Sequence, residues 1–105
     1  MSDEISVQEL QAWREHGLPF TLIDVREPQE YERGNLGGKS IPLGQILSRL
    51  SEIPREGTVV LQCKAGGRSR KALEALRQEG FANLVNLAGG ISAWSREIDP
   101  SVVAA

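Results

Sequence analysis

One cysteine and one histidine are all that 105 residues contain of either type, and that scarcity excludes a good deal. A lone cysteine cannot close an internal disulfide, so nothing covalent staples the fold. One cysteine and one histidine cannot supply a closed set of metal ligands, and no metal site or other cofactor is expected. The opening Met1-Ser2-Asp3-Glu4 is acidic and lacks the basic and apolar regions of a secretory signal. No apolar run is long enough to span a membrane. With a reactive thiol best kept in a reducing compartment, a cytoplasmic location is the default expectation. The net charge of −2 argues against a general nucleic-acid surface.

What is present reads as an ordinary globular protein: 40% hydrophobic and 25% charged residues, both spread along the chain. The length fits one domain over 1–105, with a core from about 4 to 98 and a tail, 99–105, expected to fray. One core accounts for the apolar residues, so a monomer is the default.

Ser6-Val7-Gln8-Glu9 has the form of a capping box, and Val7, Leu10 and Trp13 follow at helical spacing until His16-Gly17 closes the segment, His16 serving as a cap. Phe20 to Val25 is a short apolar run without strict alternation, as in a strand buried on both faces. Pro28 starts a short helix over 28–32. Leu43, Ile46, Leu47 and Leu50 carry a helical stripe that stops before Pro54. Thr58 to Gln62 is a second strand, Ser69 to Glu79 a helix with Ala72, Leu73, Ala75 and Leu76 toward the core, and Phe81 to Leu87 a third strand. Gly89-Gly90 leads into a last helix carrying Ile91 and Trp94, the tryptophan expected in the core near the loop. Strand and helix alternate, so an α/β fold with a parallel sheet covered by helices on both faces is expected.

Cys63 stands at the carboxyl end of the second strand, where such sheets bind ligands, and opens Cys63-Lys64-Ala65-Gly66-Gly67-Arg68-Ser69 ahead of a helix. The two glycines let successive N–H groups turn inward, while Arg68 and the helix N-terminus add positive potential. A thiol there should ionise easily and face anions. The bland alternative, a small buried hydrophobe, needs no glycine pair, arginine or helix start after it. Lys64, Arg68, Arg70 and Lys71 concentrate cations locally; Arg70 and Lys71 fit a solvated helix face. The thiol could attack sulfur or phosphorus. The six residues from Cys63 to Arg68 make a ring tight around one extra sulfur atom, whereas a phosphoryl group with three equatorial oxygens needs a wider cradle.

Three motifs together, Asp24-Val25-Arg26-Glu27, the loop from Cys63 to Arg68, and Gly89-Gly90 with Trp94, resemble single-domain rhodaneses of the thiosulfate sulfurtransferase family. The resemblance runs from the first helix to Trp94. It implies a three-layer fold whose central, mostly parallel sheet has about five short strands. It makes Cys63 the nucleophile that accepts sulfane sulfur as a persulfide, with the N–H groups of residues 64 to 68 around the terminal sulfur. Arg68 would bind an anionic donor and depress the thiol pKa, with help from Lys64. Ala65, Gly66 and Gly67 complete the cradle, and Ser69 supports it. Asp24 and Arg26 would form a buried or half-buried pair steadying the strand ends.

Donors consistent with the family are thiosulfate or a protein persulfide, and acceptors are cyanide, a thiol or a carrier protein. With no second cysteine, the persulfide must pass to an external acceptor. A relay module serving a cysteine desulfurase and a sulfur-carrier protein is the second reading. A thiol phosphatase or arsenate reductase and a non-catalytic binding domain are the others; the short loop weighs against the former and the presence of Cys63 against the latter. The segment Gly34-Asn35-Leu36-Gly37-Gly38-Lys39 departs from the family pattern and is one residue shorter before Ile41-Pro42, which points to a reshaped connection affecting substrate access.

Overall fold

The computed structural model describes residues 3–105; Met1 and Ser2 of the acidic opening lie outside the described residues. Its strands are β1 (Glu4–Ile5), β2 (Thr21–Asp24), β3 (Lys39–Ser40), β4 (Val59–Gln62) and β5 (Leu84–Leu87). They form one sheet in the order β1-β5-β4-β2-β3, and every pairing is parallel. The helices are α1 (Val7–Glu15), α2 (Pro28–Arg33), α3 (Gly67–Gln78) and α4 (Gly90–Glu97).

The centre of the sheet shows why the apolar runs lack a polar face. All four residues of β4 are buried. The pleat sends alternate side chains to opposite faces. Val59 and Leu61, and Cys63 just beyond, join Ala72, Leu73 and Leu76 of α3 in one core cluster. Val60 faces the other way into a second cluster with Leu10 of α1 and Ile91 and Trp94 of α4. Each fully buried leucine on α3 contributes about 1.5–3 kcal/mol of apolar burial. The register sets Asp24 beside Gln62, so the chain leaves β2 and β4 at one level and brings Arg26 and Cys63 to the same end of the sheet.

α1 begins with the expected capping box: the Ser6 hydroxyl accepts from the Glu9 N–H at 3.1 Å, and the Glu9 carboxylate accepts from the Ser6 N–H at 3.1 Å. His16 is its C-cap, with Nδ1 2.8 Å from the Ala12 carbonyl oxygen.

Three expectations are corrected. The stripe from Leu43 to Leu50 is not α-helical but two short 3₁₀ segments, 43–48 and 50–52; Ile46 is buried, while Leu47 is 54% exposed. A threefold repeat keeps Leu43 and Ile46 on one face and turns Leu47 off it. The third strand begins at Leu84, because Gly80 at φ +91° ends α3 and the Phe81 N–H returns to the Leu76 carbonyl at 3.1 Å. α3 starts two residues before Ser69, since Gly66 takes the left-handed N-cap conformation. Residues 99–105 lie along the body of the domain. Val102 and Ala104 pack against the second core cluster, and the Ala105 carbonyl accepts from Arg26 Nη1 at 3.0 Å.

Candidate active site

Cys63 is 2% exposed, and its sulfur meets the turn that follows it. The Gly66 N–H donates to Sγ at 3.1 Å and the Ser69 hydroxyl at 3.3 Å. The return path is short because Gly66 sits at φ +108°, a conformation that side-chain-bearing residues avoid. Burial pushes the thiol pKa up. The Ser69 hydroxyl and the N–H groups of Ser69, Gly66 and Ala65 outweigh it, leaving the thiol below its ordinary value.

The loop N–H groups can face inward because its carbonyls are held elsewhere. The Cys63 carbonyl accepts from the Ile91 N–H at 3.0 Å and from Gln62 Nε2 at 2.7 Å, and the Lys64 carbonyl accepts from the Ser92 N–H at 3.0 Å. The Gly66 carbonyl accepts from the Arg70 N–H at 3.1 Å and from Asn86 Nδ2 at 3.2 Å. The amino end of α4 is thus docked on the outside of the loop, where its free N–H groups find acceptors. This contact explains Gly89-Gly90: both have positive φ, and a Cβ on Gly90 would overlap the carbonyl oxygens of Cys63 and Lys64.

Arg68 is placed differently from the expectation. It belongs to the first turn of α3, not to a free loop, and its guanidinium makes a two-pronged pair with Glu30 of α2, at 2.7 and 3.0 Å. That pair holds the Glu30 carboxyl down to about 2. Glu30 also accepts from the Glu27 N–H at 2.9 Å, capping the helix that Pro28 begins. Beneath lies the Asp24–Arg26 pair, fully buried, with Nη2 2.7 Å from Oδ2 and Nε 3.0 Å from Oδ1. Arg26 Nη2 donates to the Gly34 carbonyl at 2.8 Å and so holds the end of α2 as well.

Arg70, expected on a solvated face, pairs with Asp3 and Glu4, whereas Lys71 is exposed. Lys64, Ala65 and Gly67 are exposed around the mouth of the loop. Trp94 is in the core, in the cluster on the sheet face opposite α3. A cleft of about 420 Å³ lined by Asp3, Thr58, Arg77 and Asn83 opens at the amino ends of β4 and β5, the far end of the sheet from Cys63.

The expected residues therefore converge: Cys63, Ala65, Gly66 and Ser69 on the sulfur, Asp24 with Arg26 below, and Arg68 to one side. Four were missed in their roles: Glu30, Gln62, Asn86, and Gly90 as a point of close approach. A double glycine ahead of a helix was the one available signal, for Gly90; nothing local ties Glu30 to Arg68. Among the described residues no group of three or more His, Cys, Asp or Glu side chains is placed to hold a metal ion, and no helix is long and apolar enough to cross a membrane.

Comparison with known proteins agrees with this geometry. The sequence profile of the family described as "Rhodanese-like domain" matches residues 6–97. The chain is 40% identical over 102 residues to the probable adenylyltransferase/sulfurtransferase MoeZ of Mycobacterium tuberculosis; the match covers 94% of this chain but only 26% of that protein, about a quarter of its length. It is 40% identical over 82 residues to a sulfurtransferase of Allochromatium vinosum, covering 77% of each. Among solved structures, a rhodanese-related protein of Thermoplasma volcanium superposes with a TM-score of 0.83 at 31% identity, covering 97% of this chain and 98% of that one.

Proposed function

The chain belongs to the rhodanese-like domain family, and from that premise we propose that it is a sulfurtransferase carrying sulfane sulfur on Cys63. The observation that carries the reading is a thiol of lowered pKa facing N–H donors in a six-residue turn. The Cys63 thiolate attacks the outer sulfur of a donor such as thiosulfate. A bond forms from Sγ to that sulfur, the donor's S–S bond breaks, and sulfite leaves with the electron pair. The terminal sulfur of the persulfide then receives hydrogen bonds from the inward N–H groups. Attack by cyanide or a thiolate on that sulfur forms the product and returns Cys63 as thiolate. Lys64, exposed at the mouth, contributes positive potential there, Arg68 is paired with Glu30, and Asp24, Arg26 and Ser69 hold the frame.

A relay role is the second reading, with a cysteine desulfurase as donor and a sulfur-carrier protein as acceptor. The exposure of Lys64, Ala65 and Gly67 favours it, because a protein-bound persulfide can reach a loop that lies on the surface. Intact mass of the reduced protein after brief exposure to thiosulfate, then after cyanide, tests the first reading against Cys63→Ser. One added sulfur atom that cyanide removes, absent from the variant, supports it. No addition from thiosulfate or from a desulfurase rules it out.

A further inference from the structure

Arg68 is the cation that an anionic sulfur donor should meet, yet both of its terminal nitrogens are bound to Glu30, at 2.7 and 3.0 Å. Behind this pair lies a second one, Arg26 with Asp24. The two guanidiniums and two carboxylates cancel, and Asp24 and the Cys63 sulfur act on the Arg68 charge along with Glu30. What remains to attract an anion is the set of backbone N–H groups and Lys64, which is exposed. A dianion such as thiosulfate therefore meets a cradle of N–H dipoles with little net charge behind it.

We propose that Glu30 is a specificity-determining residue: by neutralising Arg68 it turns the loop away from dianionic donors and toward sulfur donors of lower charge, such as the persulfide of a thiol. The proposal rests on the sulfurtransferase reading and deepens it. Glu30 does not touch the reacting sulfur; it acts through the guanidinium it holds. Its place is suited to this, since the Glu27 N–H at the start of α2 donates to the carboxylate at 2.9 Å.

Two donors of one chemistry and different charge make the test. Thiosulfate is a dianion and methanethiosulfonate a monoanion; in both, Cys63 takes the outer sulfur, the S–S bond breaks, and sulfite or methanesulfinate leaves with the electron pair. The quantity read is the ratio of their second-order rates of persulfide formation on Cys63, by rapid quench and intact mass at low ionic strength. Glu30→Gln, which keeps an acceptor for the Glu27 N–H, raises the thiosulfate-to-methanethiosulfonate ratio about fivefold, the size of one unit charge acting over several ångströms in a partly solvated site. Arg68→Gln, which leaves Glu30 unpaired, lowers the ratio by a similar factor. The double variant returns it to the wild-type value, and about 0.5 M salt shrinks all the differences. Alkylation of Cys63 by anionic iodoacetate relative to neutral iodoacetamide follows the same order.

Opposite shifts in the two single variants support the assignment, since damage to the fold would move both the same way. A ratio unchanged in Glu30→Gln while the persulfide still forms overturns the donor assignment alone. Absence of a cyanide-labile persulfide in the wild-type protein with either donor and also with a cysteine desulfurase overturns the sulfurtransferase reading, and the assignment with it.

Discussion

A Cβ on Gly90 would overlap the carbonyl oxygen of Cys63, so no side chain fits between these two residues. The next residue, Ile91, donates its N–H to that same oxygen at 3.0 Å. The nucleophile's backbone is thus set by a glycine on a different element, and the inward aim of the loop N–H groups depends on that contact. Gly90→Ala is expected to lower stability by about 2–4 kcal/mol, through the left-handed strain and the displacement of α4. Persulfide yield should fall even in the fraction that stays folded. Gly66→Ala is the control: the nearest atom to an added Cβ is 3.6 Å away, so only its φ of +108° is penalised, at about 1–3 kcal/mol. Urea denaturation followed by mass analysis of the persulfide distinguishes the two.

Removing the Ser69 hydroxyl should make Cys63 harder to ionise. Burial raises the thiol pKa, and Ser69 is the foremost of the groups that more than offset it. In Ser69→Ala the pH at which iodoacetamide alkylation accelerates moves upward. The rate at neutral pH drops by between about twofold and tenfold, the range one net hydrogen bond supports. The sign extends to stability. A depressed thiol pKa favours the folded wild-type protein above the unfolded thiol's pKa of about 8.5, and that contribution is lost as pH falls through the folded value. Denaturation of the two proteins between about pH 6 and 10 should show the wild-type advantage growing with pH.

Breaking the buried pair should be costly. Arg26 is 0% exposed and gives hydrogen bonds to Asp24, to the Gly34 carbonyl and to the Ala105 carbonyl. Arg26→Met leaves a buried carboxylate without its partner and is expected to lose about 3–5 kcal/mol. Because the same guanidinium holds residues near the carboxyl terminus, hydrogen exchange over 99–105 should speed up in this variant. Unchanged exchange there would show that apolar packing of Val102 and Ala104 suffices.

The Glu30–Arg68 pair should contribute modestly to stability, and only in one pH range. Arg68 holds the Glu30 carboxyl at about 2. A depressed carboxyl stabilises the fold fully above its unfolded pKa of about 4.3 and ceases to do so as pH falls through the folded value. Both side chains reach solvent, so Glu30→Gln is expected to lose under about 1 kcal/mol at neutral pH. The deficit should disappear toward pH 2, as read from denaturant midpoints across the acid range.

The parts of the fold visible in the sequence are those whose cause is local. Val59 to Gln62 reads as a buried strand from its own composition, and Gly66 marks a turn because only glycine readily takes its φ. Ser6 and Glu9 announce a helix because the two groups that cap each other are three residues apart. The edge strands are not legible, since two residues such as Lys39-Ser40 become a strand only by pairing with β2. Leu47 misled because an apolar stripe fits a 3₁₀ turn about as well as an α-helix over so short a span. At the site, the cysteine, its glycines and Ser69 were legible as a contiguous stretch. The Asp24–Arg26 pairing came from family resemblance and not from any pattern in the residues. The destination of Arg68 was hidden, because its partner lies 38 residues away on another helix.

The sheet's two margins, β1 and β3, are each only two residues long. An incoming strand from another chain would find too few free N–H and C=O groups in line there to start a ladder, and β3 adds a lysine at the brink. A domain bounded in this way can be crowded against copies of itself, or tethered beside other modules, with little tendency to polymerise edge to edge.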